Sequence, residues 1–152
     1  MPKVKGNVAV IPLQGVITKR SSWFSDGTDR VLATIEAAMS NKSIGAVVVD
    51  VDSPGGSSYG LQEFADALYA MRGTKPMWAI ANPVAASAAL WSGSAVDKFA
   101  VIPSGDVGSL GVWSMHIDYS KALDEAGIKP TFIFAGKYKV EGTDRDWETQ
   151  RT

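Results

Sequence analysis

The sequence predicts an α/β fold built on a mostly parallel sheet, and three observations carry that prediction. Short β-branched runs alternate along the chain with stretches of helical apolar spacing. One run, AVVVDV (46–51), is apolar almost throughout, as expected of a strand buried on both faces. The order strand, helix, strand, helix calls for right-handed crossovers, which set successive strands parallel.

The elements follow in order. VAVIPL (8–13) reads as the first strand, with Val16 and Ile17 continuing it after Gly15. Residues 29–40 carry Leu32, Ile35 and Met39 on one helical face, with Asp26 or Thr28 as the N-cap. AVVVDV is the second strand. Residues 59–71 repeat the helical pattern through Leu61, Phe64, Ala65, Leu68 and Met71, and Gly73 stops it. MWAIA (77–81) is a third strand, ended by a turn at Asn82 and Pro83. A short helix of small residues covers 86–95. FAVI (99–102) and TFIF (131–134) read as further strands around a helix at 119–126 that Gly127 closes. The last stretch, EGTDRDWETQRT, is polar and patternless, so 143–152 reads as a tail.

Bulk properties narrow the function classes. A chain of 152 residues, 45% hydrophobic and 20% charged, is long enough for one domain with a real core. Net charge is −1, so bulk electrostatics suggests no nucleic-acid or membrane-surface partner. The absence of cysteine excludes disulfides, a thiolate nucleophile and a thiolate metal site. No apolar run approaches the ~20 residues that span a bilayer. The chain therefore reads as soluble and cytoplasmic, with a membrane anchor entertained only outside it. No cofactor and no metal are expected.

Ligands of parallel α/β sheets bind beyond the carboxyl ends of the strands. Three segments sit there. In DSPGGS (52–57), Pro54 fixes a turn while Gly55 and Gly56 permit positive φ and close backbone approach. Backbone N–H groups freed in such a turn can face a developing oxyanion. The same residues also make a plain strand-to-helix turn. In NPVAASAA (82–89), Ser87 stands among alanines at a helix start, the setting of a strand–turn–helix nucleophile but also of an N-cap. In SGDVGSLGV (104–112), Gly105, Gly108 and Gly111 make a permissive loop that lines a groove through Gly108 and Ser109 or merely turns a corner. A serine nucleophile needs a base. The candidates are the one histidine, His116, and two lysines, Lys137 and Lys139 in AGKYK. Alternation puts both lysines on one side of an extended chain and does not choose between them.

Taken together, DSPGGS, AASAA, DVGSLGV, YSKALDEAGI and AGKYK, in that order, resemble the SppA-type signal peptide peptidases (protease IV), most closely their phage and prophage branch of capsid-assembly or head-maturation proteases. The likeness covers about residues 7–142, which makes 1–142 the expected catalytic domain. It implies the ClpP/crotonase fold with repeated β-β-α units, and a serine endopeptidase with a Ser–Lys dyad. By that resemblance Ser87 is the nucleophile, Lys139 of the GxxK segment the base, and the N–H groups of Gly56 and Ala88 the oxyanion donors. Gly55, Gly108 and Ser109 are groove candidates. A lysine base must titrate near ~7–8 rather than ~10.4, so the reading expects Lys139 in an apolar, water-poor cleft.

The resemblance further implies polypeptide substrates, either remnant signal peptides or phage scaffold protein, and a ring-like homo-oligomer in the host cytoplasm or the prohead. Trp23 and Phe24, in a polar connection, are expected on an interaction surface or groove lip. Three other readings compete: an inert assembly module of the same fold, an acyl-CoA enzyme of the crotonase type, and a ClpP-like triad using His116.

Overall fold

The computed structural model describes residues 5–21, 27–136 and 139. Contacts divide the chain into two units, Met1–Val112 and Trp113–Thr152.

The first unit is a parallel sheet with helices on one face. Its elements are β1 (Asn7–Gln14), α1 (Thr28–Ser40), β2 (Ile44–Ser53), α2 (Leu61–Ala70), β3 (Met77–Ala86), α3 (Ala88–Ser94), β4 (Lys98–Val101) and β5 (Asp106–Gly108). The strand order is β1-β2-β3-β4, and β5 pairs with the far end of β3. Every pairing among the described strands is parallel. The expected α/β class with its mostly parallel sheet is therefore present.

Period-2 alternation sorts the strand side chains. Ile11, Leu13, Val47, Val49, Val51, Met77, Ala79 and Ala81 are buried beneath Val31, Ile35, Leu61, Phe64 and Leu68 of α1 and α2. The opposite face is less covered: Val8 and Val10 are exposed, and Val48 and Asp50 half-buried. AVVVDV is thus more one-sided than its apolar run suggests, because α1, α2 and α3 all pack on the same face.

Two boundaries correct the sequence reading in ways that matter for the site. The expected turn at Asn82–Pro83 does not end β3, which runs five residues further to Ala86. Opposite this stretch the register with β2 shifts, from Val51↔Ala81 to Ser53↔Ala85. β4 pairs with β3 only as far as Ala81, and β5 takes over from Val84. Pro83, joined to Asn82 by a cis peptide bond, falls in the gap between two partners, where its missing N–H interrupts no ladder. The cap of α1 is Gly27 rather than Thr28, which is the buried first residue of the helix; Asp26 lies outside the described residues.

In the second unit, α4 (Ser120–Glu125) matches the expected helix. Gly127, at φ 69°, closes it through Gly127 N–H to Asp124 O (3.0 Å) and Ile128 N–H to Leu123 O (2.9 Å). TFIF forms no strand, since no neighbouring segment among the described residues supplies a ladder. Trp113, Met115 and Ile117 are exposed. Among the described residues no helix is long and apolar enough to cross a membrane.

Candidate active site

The carboxyl ends of β1, β2 and β3, with β5, gather the candidate residues of the first unit. β2 ends at Ser53 and runs into Pro54-Gly55-Gly56, while β3 ends at Ala86 and hands over to α3 through Ser87.

Ser87 occupies the N-cap position of α3 but does not behave as a cap. A capping serine holds extended backbone and bonds its hydroxyl to an N–H of the first turn. Ser87 has φ 52° and ψ −118°, and makes no side-chain cap bond. Positive φ at a residue with a Cβ costs on the order of 1–3 kcal/mol, so surrounding bonds must hold it. They do: the Ser87 N–H donates to Gly108 O (2.8 Å), and Ser87 O accepts from the Trp91 N–H (3.0 Å). The neighbours Ala85, Ala88 and Ala89 are at most 3% exposed, whereas Ser87 is half-buried. The alanines fill the packing seam between β3 and α3, and the serine stands at its surface.

The glycine turn lies against this serine. A methyl group built on Gly55 (φ 98°) would come 2.7 Å from Ser87 Cβ, 2.8 Å from Ala86 O and 3.1 Å from Ala88 N. Gly55 is buried and its N–H donates to Ser53 Oγ (3.1 Å). The turn is also clipped to Ile17, whose N–H donates to Gly55 O (2.8 Å) and whose O accepts from the Ser57 N–H (2.8 Å). The N–H of Gly56, which is exposed, has no acceptor among the described residues. The N–H of Ala88, in the first turn of α3, has no intrahelical acceptor either. On the far side of Ser87 run Gly108 and Ser109, the latter exposed at φ 54°. Within this unit, then, Gly55, Gly56, Ser87, Ala88, Gly108 and Ser109 come together.

Chemically, the arrangement offers a half-buried serine hydroxyl beside a glycine turn, with the N–H groups of Gly56 and Ala88 lacking a backbone acceptor among the described residues. No cluster of potential metal ligands occurs among the described residues. A separate groove of about 470 Å³ opens at the other end of the strands, lined by Val8, Val48, Trp78, Lys75 and Lys98, and it contains no nucleophile–glycine pair.

The base candidates belong to the second unit. Lys139 is exposed, and its N–H donates to Gly136 O (3.3 Å). His116 is exposed in an irregular segment. Lys137, the 143–152 tail, Trp23 and Phe24 lie outside the described residues. Sequence reasoning named the site's serine and glycines but not Ile17 as the clip of the glycine turn, nor β5 as the wall behind Ser87. A three-residue strand such as DVG leaves too short a pattern to be read.

Residues 70–151 match the sequence profile of Peptidase family S49. The chain is 36% identical over 145 residues to the head-tail preconnector protein GP5 of Enterobacteria phage P21, covering 92% of this chain and 29% of that protein. It is 31% identical over 145 residues to the capsid assembly protease C of Escherichia phage lambda, covering 92% and 33%. The chain thus spans about a third of the length of these curated relatives. Among solved structures it resembles a serine-to-alanine mutant of the 1510-N membrane-bound stomatin-specific protease, with a TM-score of 0.56 and 20% identity over 76% of this chain and 55% of that one. That likeness concerns the fold, which is of the ClpP/crotonase type.

Proposed function

The chain belongs to peptidase family S49, and from that premise we propose that it is a serine endopeptidase with Ser87 as nucleophile and Lys139 as general base. The observation that carries the reading is the backbone of Ser87. It holds positive φ, its half-buried hydroxyl makes no capping bond, and its Cβ lies against the Gly55–Gly56 turn. A structural serine has no need of that strained conformation.

The steps balance as follows. Ser87 Oγ attacks the scissile carbonyl carbon while its proton passes to the neutral amine of Lys139. The carbonyl oxygen becomes an oxyanion, held by the N–H groups of Gly56 and Ala88. The C–N bond then breaks, the leaving nitrogen takes the proton from the Lys139 ammonium, and an acyl-enzyme remains. Water attacks this ester, giving one proton to Lys139. The proton returns to Ser87 Oγ as the acid product leaves.

The choice of Lys139 rests on the GxxK segment inside the matched residues 70–151. In water an ammonium keeps its proton at neutral pH, so a lysine base must be desolvated when it acts. The reading thus calls for an apolar cover over Lys139 when it acts, such as bound substrate or a neighbouring copy. Activity is therefore expected to depend on assembly into a homo-oligomer. The proposed substrates are unfolded or loosely folded segments, with phage scaffold protein first, in the host cytoplasm or the prohead. The lambda relative's role as a capsid assembly protease supports that choice.

Hydrolysis of an unfolded protein substrate by three variants tests the assignment. Lys139→Ala is expected to lower kcat by about 10²–10⁴, the range of a lost general base. Lys137→Ala and His116→Ala should retain most of the activity. Loss confined to His116→Ala would replace the dyad by a triad; loss confined to Lys137→Ala would move the base. The competing reading is an inert assembly module of the same fold. That module would hydrolyse nothing while still forming the oligomer.

A further inference from the structure

We infer that Ser53 is the positioning residue of the oxyanion turn: its hydroxyl fixes the direction in which the Gly56 N–H points. The inference rests on the peptidase reading of the same site. Ser53 is wholly buried at the end of β2, one of three buried polar residues among those described. A hydroxyl has one proton to give and lone pairs to accept with. The Ser53 proton goes to Gly15 O (2.6 Å), at the end of β1, and the Gly55 N–H (3.1 Å) donates to Ser53 Oγ. One buried side chain thus ties the end of β1 to the first glycine of the turn.

The geometry of the next peptide unit does the rest. In a trans peptide the C=O and the following N–H point in opposite directions. Gly55 O is held by the Ile17 N–H (2.8 Å), so the Gly56 N–H must point away from Ile17. Ser53 holds the preceding unit through the Gly55 N–H, so Gly55 is clipped on both sides of its Cα: rotation of the Gly55–Gly56 peptide breaks the Ile17 clip, and displacement of Gly55 strains both. With the Ser53 hydroxyl gone, the buried Gly55 N–H loses its acceptor. A buried donor left unpaired drives local rearrangement to find one. The expected rearrangement is rotation or loosening of the turn, which swings the Gly56 donor off target. Ser53 touches neither substrate nor reacting atoms, so its effect falls on the chemical step rather than on binding.

The test combines residue-resolved amide exchange with the kinetics of Ser87 labelling by a fluorophosphonate, whose phosphoryl oxygen needs the same donors. In the wild type the Gly55 amide should be protected like those of β2, while the Gly56 amide exchanges quickly. In Ser53→Ala, Gly55 protection should fall about tenfold or more with that of residues 47–51 retained. The limiting labelling rate should fall about tenfold to a hundredfold, as for a misplaced catalytic group, at an unchanged half-saturating probe concentration. Ser53→Thr, which keeps the hydroxyl, should recover both. A wild-type Gly55 amide as labile as Gly56, or a Ser53→Ala protein labelled at the wild-type rate, would overturn the assignment. Should Ser53→Ala fail to fold, the wild-type exchange and the Ser53→Thr rate still decide. An unlabelled wild type would sink the peptidase reading instead, and Gly55 exchange would then judge Ser53 alone.

Discussion

Ser87→Ala is expected to lower peptide hydrolysis by about 10⁴-fold or more, the loss seen when a covalent nucleophile is removed while substrate binding survives. The fold should persist, because alanine keeps the Cβ that packs beside Gly55. Ser87→Gly should be equally inactive yet more stable than Ser87→Ala by about 1 kcal/mol, since glycine adopts φ 52° without steric cost. Denaturant unfolding of the two variants measures that difference. A strained residue whose relief stabilises the fold while ending the chemistry is what a nucleophile position predicts. A capping serine predicts the reverse, with Ser87→Ala losing stability and leaving activity untouched.

Gly55→Ala is expected to be the most damaging single methyl in the site. Its Cβ meets Ser87 Cβ at 2.7 Å and Ala86 O at 2.8 Å, at a φ of 98° that alanine resists. Strain and overpacking together should cost about 2–5 kcal/mol in denaturant unfolding. Any protein that still folds should have Ser87 displaced and turnover lost. Gly73→Ala provides the control: it also has positive φ, but nothing lies within 4 Å of its Cβ. It should cost about 1–2 kcal/mol and leave activity unchanged. Equal losses at the two positions would mean that conformational strain alone, and not the closeness of Ser87, governs Gly55.

Most of the fold was legible because its signals are local. Leu61, Phe64, Ala65 and Leu68 recur at helical spacing and are buried together in α2. The β-branched run of β2 leaves little choice but a strand. The misreadings arose where tertiary pairing overrides local pattern. Asn82-Pro83 reads as a turn, but partners on either side carry β3 past it. TFIF has strand composition and no described ladder to join. For the site, glycines and a serine among alanines were visible as motifs, since close backbone approach demands small residues. Their mutual placement was not, because it depends on Ile17, β5 and a buried hydroxyl at Ser53, residues that carry no pattern of their own. The partner of Ser87 remains an assignment from the GxxK segment.

The most direct measurement is the mass of the intact, assembled protein after reaction with a fluorophosphonate, with the adduct located by peptide mapping. The account predicts one adduct per chain, on Ser87, absent from Ser87→Ala and strongly slowed in Lys139→Ala. An assembled sample that takes up no probe, or takes it up on another residue, would contradict it.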